Sequence, residues 1–387
     1  MAEPAFKIGG IVEPPSFVGR DGDVASLRES LTDLSQSMLL LAPRRFGKSS
    51  LLHNLKLQLD QQKRLLVPSV NCLEMTTYAD FHRSVVSALL SEYERKHRVK
   101  GLVNAFLMSI RDTVLKALQR VEEVGGSVAE LGKAYLRFRE SEIDEHELLR
   151  QAFVFIRAFS EEKGVQVVFL MDEFQEVASF NGKLFRLLKK EMDENTSTRY
   201  LFSGSSIRML SSIFLTEDAP LYLRASRHRL EALGESTVSE FASQRFAVGG
   251  LRVTKDAAHL VHELTGGIPF YVQKLGFLSL QQAKTAKHKR VAISHVEAGF
   301  ASMLEELGTE FEGRWVARLS NQQRRIAKAL SELGCGSVSQ IANHMGVART
   351  DISSALRRMQ DMMIVTADEE TGYSLTDVVF SKWLAVA

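Results

Sequence analysis

The most constraining stretch of this chain is Met38-Leu39-Leu40-Leu41, followed at once by Ala42-Pro43-Arg44-Arg45-Phe46-Gly47-Lys48-Ser49. Four uncharged apolar residues in a row suit a strand covered on both faces. The Pro- and Gly-bearing segment breaks that strand. Leu51, Leu52, Leu55 and Leu59 then recur at helical spacing, which predicts a helix from Lys48 or Ser49. Further strands are predicted at Leu65–Val70, at Val167–Met171 and at Arg199–Ser203. Strands alternating with helical segments imply a parallel α/β sheet with right-handed crossovers.

Residues 42–49 follow the pattern G-x-x-x-x-G-K-[ST], with Ala42 in place of the first glycine. In such a P-loop, backbone N–H groups at a helix N-terminus surround phosphate oxygens. Gly47 permits close approach, Lys48 reaches the β and γ phosphates, and Ser49 offers a hydroxyl to Mg2+. The expected nucleotide cradle is therefore Ala42, Arg44, Arg45, Phe46, Gly47, Lys48, Ser49 and Ser50. Two readings stand for Arg44 and Arg45. They contact phosphate, a neighbouring subunit or a carboxylate of a lid, or they are two solvated side chains.

The apolar run Val167–Met171 ends in Asp172-Glu173. A strand in an open α/β sheet delivers such a pair to the carboxyl edge, where ligands bind. Asp172 is expected to hold Mg2+, and Glu173 to orient the attacking water. The chemistry is positioning and charge neutralisation. Ser203 ends the next strand. It either contacts the γ-phosphate or its water, or caps the helix that follows.

The segment from Thr77 to Gly164 is predicted to be a helical insertion. Phe81, Val85, Val86, Leu89 and Leu90 share one face. Leu102, Phe106, Ile110, Val114 and Leu118 share another, and Gly125-Gly126 punctuates the insertion. After about Leu233 the strands are expected to stop, leaving an all-α region. A last unit opens at Ser320 with the capping box Ser320–Gln323, followed by a second box, Ser337–Gln340. Three helices and a hairpin at Ile364–Thr366 and Tyr373–Leu375 then read as a winged helix-turn-helix.

In order, Phe17-Val18-Gly19-Arg20, the Ala42–Ser49 loop, Asp172-Glu173, Ser203 and Gly266-Gly267-Ile268-Pro269 precede that C-terminal unit. This constellation resembles the archaeal-type ATPases of the STAND group, within the AAA+ class that includes the origin-recognition initiators. The resemblance spans about residues 15–385. It implies the boundaries 1–16 for an extended lead-in, 17–233 for a P-loop core with the insertion at about 77–164, 234–318 for a helical lid, and 319–387 for the winged helix. It also implies ATP or ADP with Mg2+ as cofactors, adenine contacts from Val18 and Gly19, and Pro269 beside the nucleotide. No arginine closely follows Pro269, so the sensor position of AAA+ relatives is vacant and Lys274 is a weak substitute. Pro220-Leu221-Tyr222-Leu223-Arg224 resembles a run with glycine where Leu223 stands. Arg224 is then a phosphate-reaching finger or, equally, a surface ion pair.

The expected activity is slow ATP hydrolysis by a switch that couples nucleotide state to the C-terminal unit. The alternatives are an ATP-governed DNA-binding regulator or loader, or a protein-recruiting hub in defence or mobile-element control. Partners considered are double-stranded DNA, a protein on the helical insertion, and further copies of the chain in an ATP-dependent assembly. Arg349, Ser353, Arg357 and Arg358 are the nucleic-acid candidates. Charge does not favour them strongly. Residues 321–387 hold seven Lys/Arg and seven Asp/Glu, and Asp368-Glu369-Glu370 lie on the hairpin. The whole chain has Lys+Arg 49 against Asp+Glu 47, a net +2, so there is no global pull toward nucleic acid. Cys72 and Cys335 are too few for a disulfide framework or zinc cluster and read as small buried hydrophobes. No apolar run reaches membrane-spanning length, and a reduced, cytoplasmic setting is expected.

Overall fold

A computed structural model describes residues 4–33, 36–103, 145–180 and 182–386. Phe106, Ile110, Val114, Leu118 and the Gly125-Gly126 pair lie outside the described residues. The first elements are α1 (Asp21–Thr32), β1 (Ser37–Leu41), α2 (Lys48–Leu59), β2 (Leu65–Leu66), β3 (Ser69–Asn71) and α3 (Tyr78–His97). Next come α4 (Glu145–Lys163), β4 (Gln166–Asp172), α5 (Lys183–Glu194), β5 (Thr198–Ser203), α6 (Ile207–Phe214) and β6 (Ala225–Arg229). Then follow α7 (Glu235–Val248), β7 (Arg252–Val253), α8 (Lys255–Thr265), α9 (Pro269–Thr285), β8 (Arg290–Val291) and α10 (Ile293–Arg318). The chain closes with α11 (Asn321–Leu333), β9 (Cys335–Gly336), α12 (Val338–Met345), α13 (Arg349–Asp361), β10 (Val365–Asp368), β11 (Gly372–Leu375) and α14 (Val378–Val386).

Two compact units form. One comprises Ser26–Leu41 and Leu55–His228; the other comprises Met1–Ala25, Ala42–Asn54 and Arg229–Ala387. The first is built on a six-stranded sheet of order β2-β4-β5-β1-β6, with β3 also paired to β4. β1, β5, β4, β3 and β2 pair in parallel. Their apolar runs are buried on both faces: Leu39 and Leu40 are 0% exposed, as are Val167, Val168 and Phe169. Each such side chain contributes about 1.5–3 kcal/mol through burial, so the continuous runs hold the register.

The strand expected at Leu65–Val70 is two pieces. Pro68 has no N–H to donate, so the ladder is interrupted there. Its carbonyl still accepts from Leu170 N at 2.9 Å, and pairing resumes at Ser69. β6 was not foreseen, because Ala225-Ser-Arg-His-Arg carries no apolar pattern. It lies at the sheet edge, where polar residues are tolerated. In the insertion, α3 starts at a capping box between Thr77 and Asp80. Its face Phe81, Val85, Val86, Leu89, Leu90 is buried as expected, with Phe81 6.1 Å from Phe153 of α4 between ring centroids.

In the second unit, α7 to α10 form the helical part. β7 and β8 pair in parallel through Val253↔Val291 and Arg252↔Arg290. This corrects the expectation that strands end at Leu233; two-residue strands leave no periodic trace in a sequence. The lead-in is anchored here. Phe6 is 4% exposed and meets Phe246 edge-on at 5.0 Å, while the Arg245 guanidinium donates to the carbonyls of Pro4 and Ala5. Both capping boxes, Ser320 with Gln323 and Ser337 with Gln340, open α11 and α12 as read from the sequence. Ile326, Leu330, Ile341, Ile352, Leu356 and Met359 are buried beneath a three-stranded antiparallel sheet of order β10-β11-β9. Helix α14 is an addition that the sequence reading did not contain. Cys72 is buried, as expected, but Cys335 is exposed; it sits on the outer side of the two-residue β9.

Candidate functional site

The acidic half of the site grows from β4 and β5. Their parallel register pairs Met171 with Phe202, and β1 pairs Leu40 with Ser203. Three neighbouring strands therefore end together at Asp172, Ser203 and Leu41. Ser203, fully buried, donates its Oγ–H to Asp172 Oδ1 at 2.7 Å, and Glu173 N donates to the same oxygen at 3.0 Å. The helix after Ser203 begins later, with Ser206 as its cap residue.

Glu173 has φ 52° and opens a short 3-10 turn, Phe174–Ser179. Its Oε2 accepts from Ser205 N at 3.1 Å, from Ser205 Oγ at 2.7 Å and from Gln175 Nε2. These three bonds fix the Oε2 side of the carboxylate. Gln175 and Ser205 were missed as site residues, because nothing in the sequence distinguishes them from other loop amides and hydroxyls. The carboxylates are felt at Cys72, next after β3. Burial first, and then the charges of Asp172, Glu173 and Glu176, push its thiol up to about 12. This end of the sheet is a place of negative charge.

The loop half follows β1. Ala42 is buried, and the backbone turns through positive φ at Arg45 (77°) and Gly47 (84°) before α2 starts at Lys48. Such turns gather N–H groups into an anion-binding concavity, next to the first amides of a helix. Lys48 is half-buried and Ser49 is exposed. Phe46 is buried, and its carbonyl accepts from Arg20 Nη2 at 3.2 Å. Burial lowers the Arg20 pKa, opposed by its ion pair with Asp23 at 3.2 Å. Ser50 faces the lead-in: its Oγ accepts from Val12 N at 3.0 Å, and Asn54 Nδ2 donates to Val12 O at 2.9 Å.

The two arginines of the loop part company. Arg44 is exposed. Arg45 turns inward, forms an ion pair with Glu310 and stacks on aromatic rings of α9 and α10. The carboxylate it meets is Glu310 of α10.

Val18 is half-buried. Gly19 has φ 66°, and a Cβ there would fall 2.7 Å from Thr237 Cγ2, so any other residue would be strained and would crowd the Thr237 methyl. Gly267 (φ 69°) lies still closer to its neighbour. Leu233 N donates to Gly267 O at 2.9 Å, and a Cβ on Gly267 would lie 2.0 Å from Leu233 O. These contacts place Pro269 at the first turn of α9, with its Cγ 3.9 Å from where a Gly47 Cβ would sit. Lys274 is paired with Glu306. Arg224 forms an ion pair with Asp193 at 2.8 Å. Leu223, standing where the resembled run has glycine, adopts φ 57° and is 72% exposed. On α13, Arg349, Ser353, Arg357 and Arg358 are all exposed, and the first three follow at i, i+4 and i+8.

Chemically, the loop offers a cation, a helix N-terminus and the Ser49 hydroxyl, and the sheet end offers two carboxylates. Among the described residues no group of three or more His, Cys, Asp or Glu could hold a metal ion by itself. For a hard divalent ion, a carboxylate such as Asp172 or a hydroxyl such as Ser49 would each need further oxygens from a ligand, which is the usual situation of Mg2+ with a phosphorylated substrate. The donor set fits that ion. No helix among the described residues is long and apolar enough to cross a membrane.

Residues 32–209 match the AAA domain family. Among solved structures, the chain is similar to the Walker-type ATPase PABY2304 of Pyrococcus abyssi, with TM-score 0.65 and 18% identity over 98% of this chain and 99% of that one. It is also similar to the Aeropyrum pernix ORC2 protein in ADPNP–ADP complexes, with TM-score 0.57 and 13% identity over 99% and 97%. No curated protein matches the sequence. Residues 32–209 thus carry a match to the AAA domain family, and the chain as a whole shares the fold of these two proteins.

Proposed function

We propose that this protein binds ATP with Mg2+ and hydrolyses it slowly, acting as a switch of the STAND type whose C-terminal winged helix, α11 to β11, responds to nucleotide state. The observation that carries the reading is the strand order. β5 lies between β1 and β4, so the strand that leads into the Ala42–Ser49 loop, Ser203, and Asp172 stand side by side at one sheet end. By the family resemblance, phosphate bound to the loop amides and Lys48 is expected to be served by Asp172 and Glu173.

Lys48 would neutralise phosphate charge, and Ser49 and Asp172 are the residues that would hold the ion. Mg2+, when bound, supplies charge neutralisation across the phosphates. Glu173 orients water, and Ser203 keeps the Asp172 carboxylate in place by its 2.7 Å hydrogen bond. Val18, Gly19 and Pro269 are assigned to the nucleoside side. Arg224 is assigned to phosphate contact only if its pairing with Asp193 opens. A slow rate agrees with a Glu173 carboxylate already occupied by Ser205 and Gln175. Calorimetric titration with ATP, with and without Mg2+, tests the reading; a protein that takes up no nucleotide would reject it.

A second reading, a DNA-binding regulator, is favoured by one observation: the exposed Arg349, Ser353 and Arg357 row on α13. It expects a complex with duplex DNA that weakens with salt. Arg357→Ala with Arg358→Ala would lower the affinity about tenfold, on the scale of two lost phosphate contacts. A gel shift unchanged by the double substitution at low salt would count against it.

A further inference from the structure

The Arg45 side chain is only 11% exposed, although it belongs to a loop expected to face phosphate. Its guanidinium carbon lies 5.0, 4.9 and 5.5 Å from the ring centroids of Phe270, Tyr271 and Phe311. Glu310 pairs with it from α10 and is half exposed. Its Nη1 donates to the hydroxyl of Tyr271, a residue with no exposed surface. A phenol has one proton, and Tyr271 gives it to Asp377 Oδ2 at 2.9 Å. The other oxygen of Asp377 accepts from Phe380 N at 3.0 Å, which caps the start of α14. Phe311 meets Phe380 and Trp383 of the same helix at 5.5 and 5.7 Å. Helix α14 is in turn tied to α11, since Lys328 Nζ donates to Leu384 O at 2.7 Å.

We infer that Arg45 and Tyr271 form a relay that carries the state of the phosphate loop to α14 and, through it, to the C-terminal helices. The inference rests on the nucleotide reading above and names how that site is coupled. An Arg45 guanidinium turned toward phosphate would give up the bonds it now makes to Glu310 and Tyr271. Phosphate in the loop therefore competes with this cage for Arg45. Because Arg45 O also accepts from Phe270 N at 3.3 Å, a shift of the loop moves the first turn of α9 as well. Tyr271 meets the loop through Arg45, and Asp377 meets Tyr271, so they act as positioning residues. A ligand moves such an equilibrium only through contacts that differ between its two states; occupancy of Arg45 is that contact.

The chain has two tryptophans. With Trp315→Phe as background, Trp383 alone reports on α14. Binding of ATP, followed separately by equilibrium dialysis, should change Trp383 emission in the background protein. In Tyr271→Phe and in Asp377→Asn the ATP dissociation constant should stay within about threefold, while the emission change falls to about a fifth or less, within the usual range of coupling between sites. Asp377→Asn keeps the cap acceptor and the shape of the side chain, so it serves if Tyr271→Phe folds poorly. Full emission change in a folded variant overturns the relay, as does a background protein that binds ATP with Trp383 silent. Absence of ATP binding in the background protein overturns the nucleotide reading, and the relay with it.

Discussion

In Lys48→Ala, ATP affinity is expected to fall about 30-fold or more. A hydrogen bond to a charged partner contributes about 1.5–3 kcal/mol, and each 1.4 kcal/mol is tenfold in affinity. The lysine is the first residue of α2, on the edge of a loop whose amides remain in place when its side chain is cut. The loss should therefore be electrostatic rather than structural. Arg20 still holds Phe46 O, and Ser50 still holds Val12 N. Thermal unfolding without nucleotide should move by no more than about 2 °C, as for a half-exposed substitution. Binding measured with a fluorescent ATP analogue checks this. Unchanged affinity in the variant would reject the phosphate loop as the binding element.

Glu173→Gln should separate binding from turnover. The amide keeps the size of the carboxylate and an oxygen that can accept from Ser205, which in the native protein donates at 2.7 and 3.1 Å. ATP affinity should stay within about threefold. Phosphate release should drop about 10²- to 10³-fold, the range lost when a positioned acid–base group is removed. Equal rates for the two proteins would show that Glu173 does not act on the water, and that its bonds to Ser205 and Gln175 are a structural cap only.

How much of this was legible in the sequence depended on how local each feature is. The apolar runs at Leu39 and Val167, the Gly47-Lys48-Ser49 break and the Asp172-Glu173 end are contiguous, and each fell where its strand, loop or helix was expected. The boxes Ser320–Gln323 and Ser337–Gln340 are equally local, because a cap is closed by residues three apart. Pro68 is equally local, and its missing N–H divides the strand expected at Leu65–Val70 into two. The features that escaped depend on distant partners or on short, weakly patterned segments. The rings around Arg45 lie more than 220 residues further on in sequence, and no pattern near Arg45 announces them. Ser205 reaches Glu173 only because β4 and β5 are paired. β6 is polar and marginal, and β7 and β8 are two residues each, below the length at which alternation means anything.

The central claim is that loop, lysine and carboxylates serve a single magnesium-bearing nucleotide. Isothermal titration of the full chain with ATP, first with Mg2+ and then with a chelator, tests it most directly. The account predicts saturation at one nucleotide per chain, with affinity falling about tenfold or more when the divalent ion is withdrawn, because Asp172 and Ser49 then lose what joins them to the phosphates. Heat that never saturates, or an affinity indifferent to the ion, would contradict it.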